Sequence, residues 1–137
     1  MRRGVVPPAR AMCATPRDAL ASSIAERIRL HAVEAPLERD LRRIEQLWAD
    51  GLERFGGPFL AGRSFCAADA FFAPVAFRIQ TYDPPINAEA RRYASLLRDL
   101  PAMKSWYAAG LAETWRDAEH EEEVRAVGVW TQDLRAR

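Results

Sequence analysis

The sequence predicts an all-α domain, a bundle of about five helices. Two observations carry that prediction: apolar residues recur at steps of three and four along most of the chain, and no stretch alternates apolar and polar residues long enough to read as a strand. A third bounds the size. The 137 residues, 49% of them hydrophobic, suit one domain of ordinary dimensions and leave no room for a second.

The first helix is expected from Thr15, with Thr as N-cap, Pro16 at the first helical position and Asp18 facing the positive helix end. Its apolar stripe is Leu20, Ile24, Ile28 and His31. The next helix opens at Pro36 and repeats apolar residues at Leu37, Leu41, Ile44, Trp48, Leu52 and Phe55, with Glu38 and Arg42 paired on the opposite face. Gly56 and Gly57 stop it. The densest apolar segment runs from Cys66 to Tyr82 and is apolar on nearly all sides until Arg78, as befits a helix in the middle of a domain. Pro74 lies inside it and is expected to bend it near Ala70. Asp83-Pro84-Pro85 ends that helix. Asn87 then caps a helix carrying Tyr93, Leu96, Leu97 and Leu100, and Pro101 starts another with Met103, Trp106, Tyr107, Leu111 and Trp115. From about Arg116 the pattern decays. Residues 119–137 are expected as a charged tail, docked or frayed, with Val127, Val129 and Trp130 as isolated apolar residues.

Composition excludes several classes of function. Twenty Lys and Arg stand against 19 Asp and Glu, mixed along every segment, which removes the electrostatic case for nucleic acid. No apolar run reaches the roughly 20 residues that a membrane helix requires. Pro7, Pro8 and Arg10 interrupt the stretch that a signal peptide would need after Arg2 and Arg3, so a cytoplasmic location is expected. Cys13 and Cys66 have no partner at metal-ligand spacing and read as free thiols. The Glu119-to-Glu123 run with His120 reads as a solvated face rather than a metal site. Gly56-Gly57-Pro58 follows a helix and lacks the Lys-Ser/Thr of a phosphate loop. His31, on an apolar stripe, reads as a half-buried, hydrogen-bonded residue rather than a base. Composition and spacing show neither a catalytic residue nor a metal ligand.

One stretch says more. Leu60-Ala61-Gly62-Arg63-Ser64-Phe65-Cys66-Ala67-Ala68-Asp69-Ala70-Phe71-Phe72-Ala73-Pro74-Val75, followed by Arg78 and Thr81-Tyr82, resembles the C-terminal all-helical domain of cytosolic glutathione S-transferases. In that family a Gly two residues after a Leu leads into a Ser/Thr-x-Ala-Asp helix start. Ile44-Glu45-Gln46-Leu47-Trp48 to Phe55 resembles the helix before the loop, and Leu100-Pro101-Ala102-Met103-Lys104-Ser105-Trp106 the helix after it. Ala9 to Ala14 is similar to part of the domain's first helix. The resemblance covers residues 36–118 and divides the chain into an N-terminal segment (1–14), the helical domain (15–118) and the tail (119–137).

Its capping box has a physical basis. A buried helix start leaves amide donors that no water can satisfy. Asp69 reaches back to the amide of Cys66 while the cap side chain reaches forward to the amide of Asp69. Cys66 stands where Ser or Thr is usual, and a thiol accepts weakly, so the forward half is expected to be loose.

The resemblance implies a family that conjugates or reduces small electrophiles with glutathione as co-substrate, activated in an N-terminal thioredoxin-like domain that this chain is expected to lack. A truncated half with no cofactor and no glutathione site of its own is the implied reading, with a thioredoxin-like half or a homodimer as partner. Of its residues only Met12, Cys13 and Trp115 carry over to the wall of an electrophile pocket. The alternatives are a stand-alone helical interaction module and an inactive remnant. An apolar or polar surface where the thioredoxin-like half would dock separates them.

Overall fold

The computed structural model describes residues 23–135. Within them helix α1 (Ala35–Phe55) forms where the apolar spacing is cleanest, buries Leu37, Leu41 and Trp48 on one side, and stops at Gly56 in the left-handed region, φ 75°. Glu38 and Arg42 pair on its exposed face. α2 (Ala67–Tyr82) is the central helix, and its second half is buried almost all round. It passes through Pro74 without a break. Pro74 and Ala70 are both exposed, so the Ala70 carbonyl that loses its helical partner is reachable by water. α3 (Ala88–Asp99) is capped by Asn87, whose side chain accepts the Ala90 amide at 2.8 Å. α4 (Pro101–Ala112) begins with proline at its first position and buries none of its residues fully.

Two clusters make the core. In the larger, Trp48 is wholly enclosed between Phe72 and Tyr93, with edge-on ring contacts at 5.5 and 4.8 Å. Val75, Ala76 and Ile79 of α2 meet Ala90, Ala94 and Leu97 of α3 there. The smaller cluster joins Ile28, Leu37, Leu41, Tyr82 and Val124.

The helical class expected from sequence is present and the described residues hold five helices, but only four of these are the expected ones. Residues 26–30, placed on a helix by the Leu20, Ile24, Ile28 and His31 spacing, form strand β1 (Glu26–Leu30), and Leu20 lies outside the described residues. Residues 119–137, expected as a tail, include α5 (Ala118–Val127) and strand β2 (Gly128–Asp133). β1 and β2 pair antiparallel, Ile28 opposite Trp130 and Leu30 opposite Gly128, with an irregularity at Thr131, whose hydroxyl donates to the Arg27 carbonyl. The cause of both corrections is the same pairing. Arg27 and Arg29 alternate with Ile28 and Leu30, and the strand is stable only because a partner from the far end of the sequence satisfies its backbone. His31 is exposed just beyond β1, where its amide donates to the Val127 carbonyl at 3.1 Å. Gly128 is required by closeness: a Cβ there would lie 2.5 Å from the Arg29 carbonyl oxygen and 2.6 Å from Ile28 Cγ2.

Candidate functional site

Three features gather the side chains that could carry chemistry. The first is the start of α2. Cys66 is its extended N-cap and Asp69, entirely buried, is its third residue. The Cys66 amide donates to Asp69 Oδ2 at 2.8 Å, while Oδ1 accepts the Leu60 amide at 3.0 Å and the Tyr93 hydroxyl at 2.6 Å. Both arms of a capping box are in place, the forward one through a thiol too weak to make an ordinary hydrogen bond. One carboxylate thereby ties the Pro58–Phe65 loop and α3 to α2. Burial pushes its pKa up, but the donors from Tyr93, Leu60 and Cys66 outweigh burial and hold it below the usual carboxylate range. The Tyr93 hydroxyl is pushed well up, by burial first and by Asp69 second. Neither group is poised to move a proton near neutral pH. The pair holds the fold together.

The second feature is an open apolar groove of about 470 Å³ between α2 and α4. Ala70, Ala73, Pro74 and Phe77 form one wall and Met103 and Trp106 the other. Phe77 contacts the Trp106 ring at 5.0 Å and stacks on Tyr107 at 5.7 Å. Ser23, Ile24 and the buried Arg78 complete the lining. Its size falls within the range of ligand sites, and its polar groups are few.

The third is a charge network beside the strands. The Arg135 guanidinium reaches Glu26 at 2.8 Å, Glu121 at 2.8 Å and Asp133 at 2.6 Å, and Arg116 reaches Glu121 at 2.6 Å. Hydrogen bonds from Arg116, joined by Arg135, hold Glu121 at about 2 against the cost of burial. Asp133 is likewise held at about 2, chiefly by Arg135. Glu26 differs: burial raises it, and Arg135 only partly offsets that. Arg125 and Arg135 also stand over the Trp130 ring, at 4.6 and 5.6 Å. Among the described residues no three His, Cys, Asp or Glu side chains converge as a metal site.

Residues 24–109 match the family model for the C-terminal domain of glutathione S-transferases. The chain belongs to that family. No match was found among curated proteins or among solved structures. Seen as a glutathione S-transferase C-terminal domain, its matched region spans β1 through most of α4 and holds the Asp69 hub and the groove, while α5 and β2 lie beyond it. No helix among the described residues is long and apolar enough to cross a membrane.

Of the residues that the family resemblance assigns to a pocket wall, Met12 and Cys13 lie outside the described residues. Trp115 lies in the connection between α4 and α5, 74% exposed, and is not part of the groove lining. It continues the helical spacing of Trp106 and Leu111, but α4 ends at Ala112 before reaching it. The groove itself was not foreseen, because its residues read as core. The available signal was α4, apolar on all sides yet framed by polar segments, which implies exposed apolar surface wherever the helix is not enclosed.

Proposed function

We propose that this chain is the helical half of a glutathione-dependent transferase, the half that packs against a thioredoxin-like partner and walls a pocket for a small electrophile. One observation carries the reading. The apolar groove between α2 and α4 stands open, with Trp106 on its wall 54% exposed, and open apolar surface of this kind is what a docking partner covers. A stand-alone interaction module would be expected to carry polar residues on its docking surface. Met12, Cys13 and Trp115 are the residues proposed to line the electrophile pocket, and glutathione the co-substrate supplied by the partner half. The protein would work in the cytoplasm, where reduced glutathione and free thiols coexist.

Calorimetric titration tests this directly. Glutathione added to the purified chain should give no saturable heat, and adding a separately produced thioredoxin-like half should restore binding together with turnover of an aromatic electrophile. Saturable micromolar binding by the chain alone would overturn the claim that it has no glutathione site. A complemented pair that binds glutathione but turns nothing over would overturn the transferase reading.

A further inference from the structure

The carboxyl of Glu26, 3% exposed at the start of β1, is enclosed but poorly served by donors. Its Oε1 takes Arg135 Nη2 at 2.8 Å, yet that same nitrogen reaches Asp133 Oδ2 at 2.6 Å. Its Oε2 is buried with no hydrogen bond. The neighbouring acids are better matched. Arg135 Nε also donates to Asp133 Oδ1 at 2.9 Å, and Glu121 Oε1 receives both Arg116 Nε and Arg135 Nη1.

The charges do not balance around Glu26 either. Arg116 and Arg135 match Glu121 and Asp133, two cations for two anions, and an ionised Glu26 is a third anion at the same guanidinium. Arg125 stands 3.6 Å from Glu121, but it is 57% exposed and lies over the Trp130 ring, so water screens most of its charge. On β1 itself Arg27 turns away to the Tyr107 hydroxyl. From α2, Tyr82 faces Glu26, with Arg78 beside it; from α5, Glu123 faces Tyr82 and stands 3.7 Å from His120. A buried carboxyl without donors costs far less neutral than ionised, and burial accordingly raises the Glu26 pKa in spite of Arg135.

We propose that Glu26 is a proton-operated latch on the C-terminal unit formed by α5 and β2. With its proton on, the two arginines serve Glu121 and Asp133 alone and the unit is closed on β1. With the proton off, three carboxylates compete around Arg135 and the unit opens more readily. Opening uncovers the smaller core cluster, against which Val124, Val127 and Trp130 pack. The sign follows from the raised carboxyl: its stabilising share is complete below the ordinary value of 4.5 and is lost as pH rises through the folded one. The latch does not depend on the transferase reading.

Hydrogen exchange of the full chain, followed by mass spectrometry at about pH 4.5 and about pH 7.5 and scaled at each pH to unstructured peptides, tests it. Protection of α5 and β2, taken relative to Tyr93–Leu97 of α3, should fall about threefold or more at the higher pH. Glu26→Gln, neutral throughout, should abolish that fall. Asp133→Asn, which leaves Glu26 the one anion at Arg135 Nη2, should shrink it. Histidine titrates in the same range, so a variant carrying both His31→Gln and His120→Gln should keep the fall. Slow exchange in α3 reports that each variant is folded. A ratio unchanged with pH, whether both regions hold or both weaken, would overturn the proposal. So would a fall that survives Glu26→Gln, and so would one that vanishes with the two histidines.

Discussion

Replacing Asp69 by Ala removes an acceptor from three donors at once, and the structure lets the loss be graded. The Tyr93 hydroxyl and the Leu60 amide are left buried without partners, and the Cys66 amide is left half-buried. Each orphaned donor costs about 1–3 kcal/mol, part of which is offset because the carboxylate's own burial cost disappears. A net loss of about 3 kcal/mol is expected, a large part of the stability of a domain this size. Asp69→Asn should lose about 1–2 kcal/mol: its carbonyl still serves Leu60 and Tyr93, but its NH₂ then faces the Cys66 amide, donor against donor. Tyr93→Phe should cost about 1 kcal/mol in the native background and almost nothing beside Asp69→Ala, where the hydroxyl is already an orphan. Urea denaturation of the native chain and these four variants at neutral pH measures all of this. A double-mutant cycle that is additive, or an Asp69→Ala loss under about 0.5 kcal/mol, would refute the hub. pH supplies a second reading. Because Asp69 is held below its ordinary range when folded, its contribution is complete above the unfolded value near 4 and is lost as pH falls through the folded one. Asp69→Asn should therefore flatten the acid limb of the stability curve.

Other expectations follow from neighbouring parts of the molecule. Gly128→Ala should cost about 2–3 kcal/mol in a thermal melt, since the 2.5 Å clash is with a backbone carbonyl that cannot rotate aside. Arg135→Met leaves Glu26 without its cation and should lower stability by about 2 kcal/mol, with Glu26→Gln recovering part of the loss in the double variant. Glu121 and Asp133, both held at about 2, add stability that is lost as pH falls from about 4 toward 2, so Glu121→Gln and Asp133→Asn should each reduce acid sensitivity. Glu26 has the opposite sign, its folded pKa being raised: its contribution is present below the unfolded value and is lost as pH rises through the folded one, which a pH series on Glu26→Gln would show. Trp115→Ala should change stability by less than about 0.5 kcal/mol, because the side chain is mostly in water.

What could be read from the sequence was local. Asn87 before α3, Pro101 at the start of α4, Gly56 after α1 and the Cys66-Asp69 spacing each act within a few residues of themselves, and each can be placed without knowing the rest of the fold. Residues 26–30 could not be placed that way. Glu-Arg-Ile-Arg-Leu is too short to outvote the four-residue spacing of Leu20, Ile24 and Ile28, and the strand that satisfies its backbone lies at the far end of the chain, Leu30 pairing with Gly128 and Glu26 with Asp133. The same separation hid the role of Val127 and Trp130, which look isolated in the sequence but pack against the smaller core cluster in space. Asp69 was legible as a cap; that it also takes donors from Leu60 and Tyr93 depends on a loop returning and on α3 packing, neither of which spacing encodes. The groove was misread for a related reason. Apolar periodicity tells which side of a helix avoids water, not whether a neighbour arrives to cover it.

The β1 and β2 pairing has a consequence for how the protein is made. α1 to α4 can consolidate as the chain lengthens, and Leu37, Leu41 and Tyr82 can already receive Ile28, but the backbone of β1 has no strand partner until residues 128–133 exist. During synthesis the early strand must wait, its backbone unpaired, through the translation of every helix. A ribosome stalled ahead of Gly128 would thus hold a helical core with an open seam, a form more readily taken by proteases and chaperones than the finished domain.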